Sequence, residues 1–398
     1  MPPVSRSLWQ RPQLRQINED SEERSATWLE LFYDLVFVAA IGQLAHHLSS
    51  HLDGLGFAGF ALMFIPLWWC WVGTTFYATR FDTDTLFDRL FTFFQMGIIT
   101  AMAVNAHHGL AAGAMGFALC YALSRSLLIG QYQVAGYFIP RARALANWYS
   151  VGFGSSAALW LSSIWIPAPW RYALWSAGLL IDFATPLMAG HVVVKVPPSM
   201  SHVPERIGLF TIIVLGEAII GVVNGLAELT WTPFAELTAL MGLAIACSLW
   251  WLYFDSSDGS PLRSMQKGNV GTALTWLYLH LPLTASLTMA GVGLEKLLEN
   301  GPAEQPATIE RWLFCGAIAV ALIALASIHW LTCTLGTPKF RRVLSSYRLT
   351  SASALLLVAV WGDNLTSFWL VSIAALACMV QVVLDLLRQR QPATKSLQ

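Results

Sequence analysis

Trp28-Leu-Glu-Leu-Phe-Tyr-Asp-Leu-Val-Phe-Val-Ala-Ala-Ile-Gly-Gln-Leu-Ala-His-His47, running on into Leu48, is long and apolar enough to cross a bilayer, yet it carries Glu30, Asp34, His46 and His47. A span needs about 20 predominantly apolar residues, and a charge in hydrocarbon costs roughly 2.5–3.5 kcal/mol even on the lenient insertion scale. Ionisable groups in such a segment therefore need partners. At about 100° per residue, Glu30 and Asp34 lie one turn apart on one helix face, followed there by Phe37 and Ile41. The histidines sit about 18–24 Å further along the axis. One helix thus brings acids to one membrane surface and imidazoles to the other.

Composition extends this reading to the whole chain. Of 398 residues, 56% are hydrophobic and only 12% charged, against about 25% charged in ordinary globular proteins. Mean hydropathy is +0.56. The fold class expected is an all-α polytopic membrane protein. A formal net charge of zero gives no support for nucleic acid as a partner. The first 27 residues mix Arg with acids and lack an apolar core, so no signal peptide is expected and the first span directs insertion. Cys70, Cys120, Cys247, Cys315, Cys333 and Cys378 all fall in or beside apolar segments without a C-x-x-C pair. They read as small packing residues, not as a disulfide or zinc framework.

About twelve apolar segments are long enough to span: 28–50, 56–79, 89–107, 110–133, 146–166, 170–190, 205–227, 232–254, 269–293, 309–334, 349–362 and 365–387. The eleventh is short and could begin earlier, within Ser345–Arg348. Lys and Arg test the count independently. Only Arg171, Lys296 and Arg311 fall in loops after odd-numbered segments, and Arg125 lies inside the fourth; every other Lys and Arg is in a tail or in a loop after an even-numbered segment. Both termini are therefore expected in the cytoplasm. The expected organisation is a polar tail 1–27, a six-helix half 28–190, a linker 191–204 containing Pro197-Pro198, a second six-helix half 205–387, and a tail 388–398. The tails, up to about Ala26 and from about Gln389, are expected to be disordered.

An internal repeat supports the division. Ile41-Gly42-Gln43 resembles Leu215-Gly216-Glu217, and Trp68-Trp69 with a following Tyr77 and Phe81-Asp82 resembles Trp250-Trp251 with Tyr253-Phe254-Asp255. Halves of six helices share an orientation, related by an axis along the membrane normal. Prolines lie inside spans two (Pro66), six (Pro186) and nine (Pro282).

The candidate site residues are the ionisable groups within the membrane. Glu30 reads equally as a collar facing headgroup water or as part of a site. Asp34, one turn deeper, is expected to face the interior with Arg80 or Arg206 as partner. Glu217, about 18 Å from Glu205 along one helix, and Asp182, one turn before Pro186, are deep carboxyls. Arg125, His280 and His329 complete the buried set. The loop from Arg80 through Asp82 to Arg89 reads as a salt-bridged latch or as a capped, solvated turn. His46, His47, His51, His107 and His108 share the other surface, as ordinary interfacial residues or as a proton-uptake or metal cluster; no H-E-x-x-H frame surrounds them. No P-loop, G-x-G-x-x-G or G-x-S-x-G is present. No cofactor or resident metal is expected.

Leu29-Glu-Leu-Phe-Tyr-Asp-Leu-Val-Phe-Val38, followed by Gln43-Leu44 and His46-His47-Leu48, resembles the signature of the low-temperature-requirement A (LtrA) family. Trp68-Trp69, Thr75-Phe76-Tyr77, Arg80-Phe81-Asp82, Glu205-Arg206, Ile212 to Glu217 and Trp250 to Asp255 extend the resemblance over about 30–385. It implies a bacterial multi-pass inner-membrane protein and no particular chemistry. Three functions remain open. One is a transporter or proton-coupled permease for an unidentified small solute, with Glu30, Asp34, Asp182 and Glu217 on the path. Another is a membrane-embedded enzyme acting on a lipid or isoprenoid, and the third a non-catalytic membrane-stress factor. The sequence leaves the oligomeric state open.

Overall fold

The computed structural model describes residues 9–14, 27–82, 85–227, 232–255, 259–266, 268–332 and 338–389. Among these, twelve helices have 19 residues or more. They are α1 Trp28–Ser50, α2 Gly54–Arg80, α3 Leu86–His107, α4 Ala114–Phe138, α5 Arg143–Ser162, α6 Trp170–Met188, α7 His202–Ala227, α8 Pro233–Phe254, α9 Val270–Glu299, α10 Thr308–Leu331, α11 Pro338–Trp361 and α12 Ser367–Gln389. Each falls on one of the segments read from the sequence. The largest departure is α11, which starts well before residue 349 because its first turns, around Arg341, Arg342 and Arg348, are helical without being apolar.

Among the described residues, nine of these helices are long and apolar enough to cross a membrane. The three that fall short are α4, α5 and α6, where residues such as Ser124, Arg125, Gln131, Asn147 and Asp182 dilute the hydropathy. Outward faces are apolar, as at Leu55, Val151 and Leu180, the reverse of a water-soluble surface.

Side chains start several helices. Thr27 and Glu30 form a capping box at α1, and Thr85 and Asp88 form one at α3. Asp53 accepts from Gly56 N at 2.7 Å to open α2. Thr232 caps α8, whose first residue is Pro233. Each satisfies backbone N–H groups that a helix start leaves unpaired. Pro66, Pro186 and Pro282 all lie inside their helices.

The chain forms two compact units. The first comprises Met1–Phe210 with Pro261–Leu277, the second Thr211–Ser260 with Tyr278–Gln398. In the first, α1 packs on α2 and α3, α3 on α4, α4 on α2 and α5, and α5 on α6. Its core is aromatic, with Trp68, Trp71, Trp160, Trp175, Tyr121 and Tyr132 fully buried. In the second, α10 packs on α11 and α8 on α12. Part of the N-terminal tail departs from expectation. Gln13–Leu14 pairs antiparallel with Phe81–Asp82, and Trp9 packs against Phe138 at 5.3 Å. Trp9 and Leu14 give the polar tail an apolar anchor. Residues 1–8, 15–26 and 390–398 lie outside the described residues, as do Asp84 and Cys333.

Candidate functional site: buried carboxyls and their partners

Three groups of ionisable side chains emerge. The first joins the starts of α1 and α7. Arg206, buried one turn into α7, donates from Nη2 to Asp34 Oδ1 at 2.6 Å. The Trp71 indole donates to the same oxygen at 2.8 Å. Arg206 Nη1 also lies 3.4 Å from Glu30 Oε1. His202 bridges two acids, with Nε2 3.3 Å from Glu30 Oε1 and Nδ1 3.0 Å from Glu205 Oε2. An imidazole donating to both would carry a proton on each nitrogen. Acids at both helix starts also match the positive end of the helix dipole.

Asp34 therefore faces inward on Arg206, one of its two expected partners. Arg80, the other, goes elsewhere. It is buried, donating from Nε to Val196 O at 3.0 Å and from Nη1 to Tyr132 O–H at 2.7 Å, with its guanidinium 5.4 Å from the Phe76 ring centroid. Of the acids in the loop after it, the side chains of Asp82 and Asp84, and with them the expected latch, lie outside the described residues. Thr85 and Asp88 in that loop cap α3. The backbone of Asp82 pairs with Gln13.

The second group surrounds Asp182 on α6, which is fully buried. Tyr121 and Ser156 both donate to its Oδ2, Ser156 at 2.7 Å. Arg125 on α4 is within electrostatic reach. The third group holds Glu217, buried on α7, whose charged neighbour is another acid, Glu295 on α9. The backbones are close here: a Cβ at Gly291 would lie 2.8 Å from Glu217 O, and one at Gly221 would lie 2.5 Å from Gly291 O. Gly221 is therefore a packing glycine, whereas nothing lies within 4 Å of a Cβ at Gly216.

The histidines do gather. His46 stacks on His107 at 5.9 Å, His47 on His51 at 4.5 Å, and His107 meets His108 edge-on at 5.6 Å. Gly109, at φ +67, leaves room for the His47 ring, which a Cβ would approach to 2.6 Å. Among the described residues no group of three or more His, Cys, Asp or Glu is placed to hold a metal ion.

The repeat residues occupy unlike environments. Gln43 is exposed where Glu217 is buried. Trp68 and Trp69 are buried, whereas Trp250 and Trp251 are exposed. Sequence reasoning did not single out His202, Trp71, Tyr121, Ser156 or Glu295. Of these, His202 carried a usable signal, lying three and four residues before Glu205 and Arg206 at a helix start. A second buried pair was also missed: Arg348 donates from Nη2 to Asp385 Oδ2 at 2.6 Å.

No solved structure matches the chain. The chain is 29% identical over 295 residues to the uncharacterized protein RA0937 of Rhizobium meliloti (strain 1021), an alignment covering 69% of this chain and 70% of that one. The helices that bring Glu30, Asp34, Asp182, Arg206 and Glu217 to their partners all lie within residues 25–387, the stretch matched by the family model described as bacterial low temperature requirement A protein (LtrA), and the chain belongs to that family.

Proposed function

We propose that this multi-pass membrane protein is a proton-coupled transporter of a small solute, with all twelve long helices crossing a bacterial inner membrane and both termini in the cytoplasm. The Lys and Arg distribution supports that orientation. The observation that carries the reading is Glu217, buried within an apolar helix with Glu295 within electrostatic reach. Two carboxyls so placed are suited to holding one proton between them, and intramembrane acids mark ion and proton pathways. The Glu30–His202–Glu205 chain beside the Asp34–Arg206 pair supplies a second proton-handling group. Asp182 supplies a third. A link to growth in the cold rests on the family's description alone.

Infrared difference spectroscopy on membranes stepped between acid and alkaline buffer tests the key residue. A carboxylic-acid carbonyl band is expected in the parent protein and lost in Glu217→Gln. An unchanged spectrum in that variant contradicts the assignment.

A further inference from the structure

A cavity in the first unit, bordering the Asp182 group, is built around arginines. It measures about 30 Å³ and is lined by Arg80, Arg125 and aromatic side chains that include Trp69, Phe76, Tyr149 and Phe153. Arg125 is 1% exposed; the Tyr121 hydroxyl and the Cys70 thiol lie beside its guanidinium, yet among the described residues none of its Nε, Nη1 and Nη2 atoms makes a hydrogen bond of good geometry. Its ring contacts are the faces of Tyr121 at 5.0 Å, Phe153 at 5.6 Å and Trp69 at 5.9 Å. The Tyr121 hydroxyl beside it donates to Asp182. A guanidinium has five N–H donors and cannot shed its charge. Cation–π contact offsets part of its desolvation but gives those donors no acceptor, and buried polar groups left so are rare.

Charge leads to the same place. Arg80 and Arg125 bring two positive charges to the cavity. Among the described residues, the groups acting on Arg80 are the hydroxyls of Tyr132 and Tyr149. Asp182 supplies one negative charge, and it acts on Arg125. Among the described residues, one positive charge is left uncompensated in a buried place, where such a charge is costly.

We propose that this cavity binds one small monovalent anion of halide size, held by the Arg125 guanidinium with Arg80 contributing charge. Size sets the class. A water needs about 10–15 Å³, so the space matches an ion of one or two waters' bulk. Gly73 is part of the construction. A Cβ there would lie 3.1 Å from Arg125 Nη1 and 2.7 Å from Leu128 Cδ2, narrowing the cradle from the α2 side.

The test uses the full chain in nanodiscs of neutral lipid, exchanged into sodium gluconate and titrated with sodium chloride at constant ionic strength. Bound radioactive chloride and melting temperature are read together. The expected result is one saturable chloride per chain, with a melting temperature that rises as the site fills. Arg125→Gln is expected to weaken binding at least tenfold, and Gly73→Ala to weaken it in the same direction. Absence of saturable chloride in the parent protein overturns the proposal, as does parent-like binding in Arg125→Gln. Should Arg125→Gln fail to fold, Gly73→Ala decides, and undiminished binding there overturns it.

Discussion

Asp34 Oδ1 accepts from two unlike donors, a guanidinium and an indole. The indole fixes where the carboxylate sits, and the guanidinium supplies the compensating charge. The side chains of Asp34 and Arg206 are each only 2% exposed, so removing one partner leaves the other charge buried. That costs about 3–5 kcal/mol, whereas replacing both by apolar groups is often close to neutral. Asp34→Asn and Arg206→Met are each expected to destabilise the purified protein by about that amount. The double variant should lose far less than the sum, read by chemical denaturation as a double-mutant cycle. Additive losses would show that the pair does not act as a unit. At this scale the sequence was informative about which residues are buried but not about their partners. Asp34 sits among Phe32, Tyr33, Val36 and Phe37, so its depth could be read locally. Whether Arg80 or Arg206 meets it depends on how helices distant in sequence pack, and no periodicity carries that.

Helices α7 and α9 show how glycines let two elements approach closely. Close approach requires residues without side chains at the crossing, and Gly221 and Gly291 supply them, bringing Glu295 near Glu217. Gly291→Ala is expected to force the backbones apart and cost about 1–3 kcal/mol, the usual range for overpacking. Gly216→Ala, with nothing within 4 Å of the added methyl, should be neutral or slightly stabilising, since Ala is the better helix former. Melting temperatures of the two variants check this; equal effects would refute the crossing. Helix existence was legible because apolar runs are long and several starts carry caps. The T-x-x-E at Thr27 and the T-x-x-D at Thr85 could even have fixed two of those starts. The start of α11 was not legible from hydropathy, because its first turns are basic. Glu295 was missed for a related reason. It lies in the last turns of α9, past the apolar window ending at 293, where an acid reads as a loop residue.

For the whole molecule, membership of the LtrA family and nine sufficiently apolar helices among the described residues agree on a multi-pass membrane protein. The twelve apolar segments were legible as twelve long helices, because runs of that length stand out from the polar loops between them. The motif repeat is less informative than it looks, since Trp68-Trp69 and Trp250-Trp251 face opposite environments despite sharing a sequence. Such a pair can pack in a core or face the bilayer, and sequence alone does not separate the two. The buried carboxyls were legible as a class of residue, and the function proposed above rests on them. Reconstituting the full chain in liposomes holding a trapped pH-sensitive dye, under an imposed membrane potential, tests proton coupling most directly. Proton entry is predicted for the parent protein and its abolition for Glu217→Gln at equal incorporation, while equal proton entry in both would contradict the account.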